Sequence, residues 1–269
     1  AIPPCRAGAG GGGDDADHSE VSISIRGDKD AGYGVVLVPQ ERVLLPGAQR
    51  TMHFYDSNLL LALKHAERKG SRLALVPYSR EERKLIIGAG ILSLVREQHF
   101  AIRANKFNEI SGSRIVHLLG LRRVRLAQVH QYEPFLRAEL EEIPWLPGPS
   151  PEQDKQIVEL FEAVSKLRED TGAEILPPSA DGRLDDTLVD LSPEWEEMLR
   201  RELVDDGQEP DSISAEEMRS VRALVAAQVC LPTMRSGALE LQGQVLGEYV
   251  VASLKETETT LRGMMQKGQ

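Results

Sequence analysis

The stretch GVVLVPQERVLLPGAQRTMHFYDSNLLLALKHA, residues 34–66, decides how the rest of the chain is read. Gly34 to Val38 is a continuous apolar run that ends at Pro39, the pattern of a buried strand. Val43-Leu44-Leu45-Pro46-Gly47 then breaks into a turn, because proline presets φ and glycine accepts positive φ. Thr51 to Tyr55 is a second strand. Asp56-Ser57-Asn58 supplies side-chain oxygens that cap a helix. The helix runs from Leu59 to Lys69, with Leu59, Leu63 and Ala66 on one face and Gly70 as its stop.

About sixty residues further on, GLRRVRLAQVHQYEPFLRAELEEIP, residues 120–144, has the same β-rich character. Leu121 to Val129 alternates, so Leu121, Arg123 and Arg125 share one face of a strand and Val124 and Leu126 the other. The arginines are expected on a wet face; a phosphate-binding strip is the alternative reading. Phe135 to Ile143 is the last strand of this region. Val21–Ile25, Arg72–Pro77, Leu85–Val95, Phe100–Ala104 and Ile115–Leu119 are further strand candidates, and Gly88 and Gly90 mark a bulge or close backbone approach in one of them. Residues 21–146 thus read as a mixed, mainly β unit with one prominent helix. Residues 1–20 are glycine-rich and nearly free of large apolar side chains, the composition of a flexible tail. Gly10 to Gly13 lie between no strand and helix, so they read as linker rather than as a phosphate cradle.

The pattern changes after the turn Trp145-Leu146-Pro147-Gly148-Pro149. Ser150, Pro151 and Gln153 open a helix that carries Ile157, Leu160, Phe161, Val164 and Leu167 at helical spacing. Ser192-Pro193-Glu194 opens a second, with Trp195, Met198, Leu199 and Leu203 on its face. Ser214-Ala215-Glu216-Glu217 is a full capping box for a third, through Met218, Val221, Leu224 and Val225, and Pro232 is expected to end or kink it. A long last helix is expected from about Ser236 to Met264. Residues 147–269 therefore form a helical unit without strands, and 173–191 an acidic loop within it. Charge follows the same division. Residues 1–150 carry 20 basic and 17 acidic side chains, 151–217 carry 6 and 21, and 218–269 carry 6 and 4, so the middle block holds −15 and the flanks +3 and +2, for a net charge of −10. Such a block repels nucleic acid and anionic membrane.

Composition narrows the chemistry. With 269 residues, 41% hydrophobic but only 4% aromatic, the chain can bury a sizeable core built mainly from aliphatic residues. No run reaches the roughly 20 apolar residues of a membrane span. Cys5 and Cys230 cannot make a cysteine metal site, and no His-Glu-x-x-His pair is present. No Gly-x-x-x-x-Gly-Lys-Ser/Thr phosphate loop and no Gly-x-Ser-x-Gly elbow occurs. Ser165 and Lys166 are neighbours on a helix and point about 100° apart, a poor nucleophile–base pair. Asp181, Asp185, Asp186 and Asp190 fall in a solvated loop, where nothing shifts their acidity toward catalysis. No cofactor, metal or catalytic residue is expected.

The order of motifs resembles the N-terminal, substrate-binding LON domain of ATP-dependent Lon proteases. Val43-Leu44-Leu45-Pro46-Gly47 is similar to the family's strand followed by Leu/Phe-Pro-Gly. His53-Phe54-Tyr55-Asp56 is similar to its His-Ile-Phe-Glu before the first helix, and Ile87-Gly88-Ala89-Gly90 weakly to its Val-Gly-Thr strand. Gly120-Leu121-Arg122-Arg123-Val124-Arg125 matches its Gly-x-x-Arg-Val-Arg strand, and Tyr132 to Ala138 its Tyr-containing strand. Ser57-Asn58-Leu59-Leu60 departs from the Pro-Arg-Tyr-Arg common there. The resemblance implies an α+β fold, a PUA-like small β-barrel followed by an α-helical bundle, in which Pro46, Gly47, His53, Asp56, Gly120, Arg123, Val124 and Arg125 have structural roles. It implies a non-catalytic module that binds unfolded polypeptide or a protein partner, without the ATPase and protease modules of Lon. An apolar groove near the junction of the halves would do this, with Phe54, Tyr55, Tyr132, Phe135, Trp145 and Trp195 as candidate contacts. An RNA-binding PUA-like module and an accessory subunit of a larger complex are the alternatives. The resemblance to free-standing LON-domain proteins suggests the chloroplast stroma and a removed transit peptide, with mitochondrial matrix or cytoplasm as the alternatives.

Overall fold

A computed structural model describes residues 32–78, 89–104, 110–144, 148–171, 187–203, 213–239 and 241–267. The expected strand at Val21–Ile25, the start of the Leu85–Val95 strand, Trp145 and most of the acidic loop lie outside the described residues.

Strands β1 (Tyr33–Pro39), β2 (Gln49–Phe54), β3 (Arg72–Tyr78), β4 (Gly90–Ala104), β5 (Ile110–Gln131) and β6 (Leu136–Glu142) build the first half, with helix α1 (Ser57–Glu67) between β2 and β3. β1 pairs in parallel with β3 and antiparallel with β6, while β3 pairs with β4, β4 with β5 and β5 with β6, all antiparallel. Those five pairings close a ring, and β2 adds to β5 outside it. Gly34, Val35, Val36 and Val38 are buried on the two faces of the strand, while Leu37 of the same run is 41% exposed. Val36 and Val38 join a core with Leu44, Phe54, Leu63, Leu73, Val95 and Val116, and Val35 packs with Ala74, Val76 and Ala138.

The second half contains α2 (Pro151–Thr171), α3 (Pro193–Leu203), α4 (Ala215–Ala227), α5 (Pro232–Ala238) and α6 (Gly243–Lys267). The capping residues read from the sequence act as such. Ser214 and Glu217 exchange both bonds of a capping box. At α2, the Ser150 hydroxyl accepts from the Gln153 amide and the Gln153 side chain accepts from the Ser150 amide.

Five expectations change. Two pairs of short strands are each one long strand, β4 and β5. Gly120 does not interrupt β5 because its amide donates to the Ala48 carbonyl and its carbonyl accepts from the Gly47 amide. Within the stretch expected to be loop, β7 (Thr187–Leu188) pairs antiparallel with Gln49 and Arg50 of β2. Pro232 opens a helix rather than ending one, since a first-turn proline loses no helical hydrogen bond. The expected last helix is split: α5 ends at Ala238, and α6 starts at Gly243, whose φ is +57°. Arg123, expected on a wet face, is 0% exposed. It donates to the carbonyls of Leu239 and Leu241 at 3.1 and 3.0 Å, so it serves the helical half rather than solvent.

The two halves share their apolar clusters. Val43, Leu45 and Ile91 pack with Ile157, Phe161, Leu224, Leu246 and Val250, and Leu119 and Leu121 pack with Trp195, Leu199, Met218 and Val221. Polar side chains stitch the same seam. Gln228 accepts from the Leu45 amide at 2.9 Å and donates to the Val43 carbonyl at 3.4 Å. The Trp195 indole donates to the Gly47 carbonyl at 3.1 Å. Buried arginines line the seam at an electrostatic cost. Burial pulls the Arg123 guanidinium below its usual range, and Arg125 adds repulsion. Burial, then Arg168 and Arg50, lower Arg235 to about 9, and burial raises the neighbouring Cys230 thiol to about 12. Backbone carbonyls accept from these arginines, as when Arg235 donates to Cys230 and Arg168 to Val229.

Candidate functional site

The first of two grooves lies between α1 and the arm formed by the distal parts of β4 and β5. Asp56 fixes where α1 starts, its carboxylate accepting from the amides of Asn58 and Leu59 at 2.8 and 3.4 Å. The helix turns Leu63 and Ala66 into the core and leaves Leu60 half-buried at its side. On the sheet, a register shift between Val95 and Glu97 inserts an extra residue into β4. Beyond it Gln98 stands opposite Val116 and Phe100 opposite Arg114, so both lie on the face that turns toward α1. Gln98 ties the arm to the helix by donating to Glu67 at 2.6 Å.

The result is an open groove of about 410 Å³ lined by Leu60, Leu63, Lys64, Glu67, Gln98, Phe100, Gly112, Ser113 and Arg114. Leucines form its floor and the Phe100 ring its wall, 66% exposed, with the Arg114 guanidinium 5.4 Å from the ring centre. Leu61 (42% exposed) and Tyr55 (45% exposed) add apolar surface nearby on α1 and just before it. Apolar floor, exposed ring and charges of both signs at the rim suit an amphipathic guest.

The six aromatic candidates from the sequence are not brought together. Phe54 and Trp195 are core residues at 0% and 5% exposure. Tyr55 stands one residue past the Phe54–Arg114 pair, edge-on to His53 at 5.6 Å. Tyr132 and Phe135 lie beyond the opposite end of β5; Tyr132 is 56% exposed and Phe135 packs 5.6 Å from the His65 ring. Trp145 lies outside the described residues. Phe100 was missed. Read alone, Phe100 to Ala104 is a strand like any other; the place of Phe100 on the α1 side of the arm follows from the register shift after Val95, and that shows only when β4 and β5 are paired.

A second groove, also about 410 Å³, does lie at the junction of the halves, lined by Gln49, Val189, Asp190, Ser192, Glu194, Trp195 and Met198. Its one ring is the buried Trp195, and Asp190 is engaged in starting α3, accepting from the Ser192 amide and hydroxyl at 2.9 and 2.7 Å. The three arginines of the second motif make no phosphate strip. Arg123 is buried, Arg122 bonds Glu142 and the Leu203 carbonyl, and Arg125 is exposed. No helix among the described residues is long and apolar enough to cross a membrane.

A closed β unit carrying a groove on its flank and sharing a core with a helical half defines an α+β, barrel-plus-bundle fold. The chain belongs to the family of the ATP-dependent protease La (LON) substrate-binding domain, whose model matches residues 35–215. It is similar to the Lon N-terminal domain protein from Xanthomonas campestris, with 15% identity over 55% of this chain and 85% of that one and a TM-score of 0.37. It is also similar to the N-terminal domain of the Mycobacterium avium complex Lon protease, with 17% identity over 82% and 98% of the two chains and a TM-score of 0.41. No curated protein matches it.

Proposed function

We propose that the chain is a non-catalytic recognition module that binds extended or unfolded polypeptide in the groove between α1 and the β4–β5 arm. Membership of a substrate-binding domain family supports the class of ligand. The observation that carries the site is Phe100, a phenylalanine left 66% exposed over a leucine floor and flanked by Arg114. An exposed aromatic beside a well-packed floor is the arrangement that concentrates binding energy at protein interfaces. Lys64, Glu67 and Arg114 at the rim discriminate among segments by charge, and the open shape admits many side chains. Binding of this kind uses no nucleotide and no bond-making step.

The test is a fluorescence-anisotropy titration of a labelled, permanently unfolded polypeptide without nucleotide. Saturable binding that weakens at least fivefold in Phe100→Ser and is unchanged in Tyr132→Ser is the expected outcome. Equal binding by the wild-type chain and Phe100→Ser would place recognition elsewhere.

A further inference from the structure

On the other face of the same arm, Glu97, His99 and His117 come together. Val95 faces the core and is paired with Leu118, and without an irregularity Glu97 would face inward as well. The register shift after Val95 reverses the alternation, placing Glu97 opposite His117 and His99 opposite Ile115. Glu97 and His99, two apart on β4, then share the outward face with His117 of β5. One ligand atom from each of the three lies within 4.8 Å of the others.

We propose that these three residues form a binding site for a divalent transition metal of the zinc type, a site independent of the polypeptide groove. Two imidazoles and one carboxylate are the donor set that Zn²⁺ takes at three-ligand sites. The carboxylate Oε2 of Glu97 stands 3.5 Å from Nε2 of His99, close to the roughly 3.3–3.5 Å that separates ligands with bonds of about 2.0–2.2 Å at a tetrahedral angle. The rings of His99 and His117 meet edge-on, with centroids 5.6 Å apart and planes at 76°, so small rotations of exposed side chains bring their nitrogens onto one ion. Nδ1 of His117 lies 3.0 Å from the Thr51 hydroxyl; in the tautomer protonated at Nδ1 that hydroxyl accepts the hydrogen bond and the Nε2 lone pair is left for metal. The side chains of His99 and Glu97 are 61% and 68% exposed, so the ion is reached from solvent and keeps water in its remaining position.

Calorimetric titration of the metal-free protein with zinc chloride tests this. One equivalent should bind, at least tenfold more weakly in His99→Ala and in His117→Ala. His130→Ala should bind as wild type, because His130 faces Glu139 on the stretch of β5 paired with β6. Far-UV circular dichroism of His99→Ala and His117→Ala should match wild type, since neither side chain belongs to the apolar core, and the same measurement on His130→Ala, whose side chain is 6% exposed, checks that the control is folded. Absence of saturable binding to the wild-type chain, or undiminished binding by the His99→Ala/His117→Ala double variant, would overturn the assignment. So would effective competition by Mg²⁺, which prefers oxygen ligands in an octahedral set.

Discussion

Gly47 is where the first motif meets both the second motif and the helical half, and replacing it measures that seam. Its φ is +79°, a left-handed conformation that costs an L-residue about 1–2 kcal/mol. A Cβ there would lie 2.5 Å from Cγ2 of Val225, 2.6 Å from Cζ2 of Trp195 and 3.0 Å from Cδ2 of Leu199. Overpacking of a filled core costs a further ~1–3 kcal/mol, so Gly47→Ala should lose about 2–5 kcal/mol. Gly70 provides the control. Its φ is +63°, and an added Cβ would meet nothing within 4 Å, which leaves only the backbone cost. Urea unfolding followed by circular dichroism should therefore show Gly70→Ala losing about 1–2 kcal/mol and Gly47→Ala at least ~1 kcal/mol more. Equal losses would refute the reasoning, because they would mean that α3 and α4 do not press on the Pro46-Gly47 turn.

Arg123→Ala should cost about 2–4 kcal/mol in the same assay, since it strands carbonyls of Leu239 and Leu241 while relieving one desolvated charge; a loss under ~0.5 kcal/mol would remove its role in joining the halves. Asp56→Ala should cost about 1 kcal/mol through the lost cap of α1, read from the unfolding midpoint. Cys230 should resist iodoacetamide in the native protein at pH 9 and alkylate on adding denaturant, as read from its peptide by mass spectrometry. An ordinary thiol is about half ionised there, whereas one held at about 12 is ionised to roughly one part in a thousand. Because the folded state holds that proton more tightly, the thiol's contribution to stability is present below pH 9 and is lost as pH rises toward 12, which comparison with Cys230→Ala over that range checks.

The sequence was most legible where local chemistry decides. Pro46-Gly47, the Asp56 cap and the Ser214–Glu217 box each act within a few residues, and each marks its element in the structure. It was least legible where a distant partner decides. Gly120 reads as a break until the Leu45–Ala48 backbone is laid beside it, and Thr187-Leu188 becomes a strand only because the β2 edge is there to pair with. Arg123 looks like a solvent-facing arginine because the acceptors that draw it inward lie more than a hundred residues away, at Leu239 and Leu241. The groove shares this difficulty. Tyr55 was within reach of sequence reasoning, but Phe100 becomes a contact residue only through a bulge that re-aims the outer part of β4.

Hydrogen–deuterium exchange with and without a bound unfolded polypeptide tests most directly whether polypeptide is held between α1 and the β4–β5 arm. The expected result is added protection confined to residues 57–67, 97–101 and 112–115, absent in Phe100→Ser. Protection over 189–198 with none on α1 would contradict it and move the site to the junction groove.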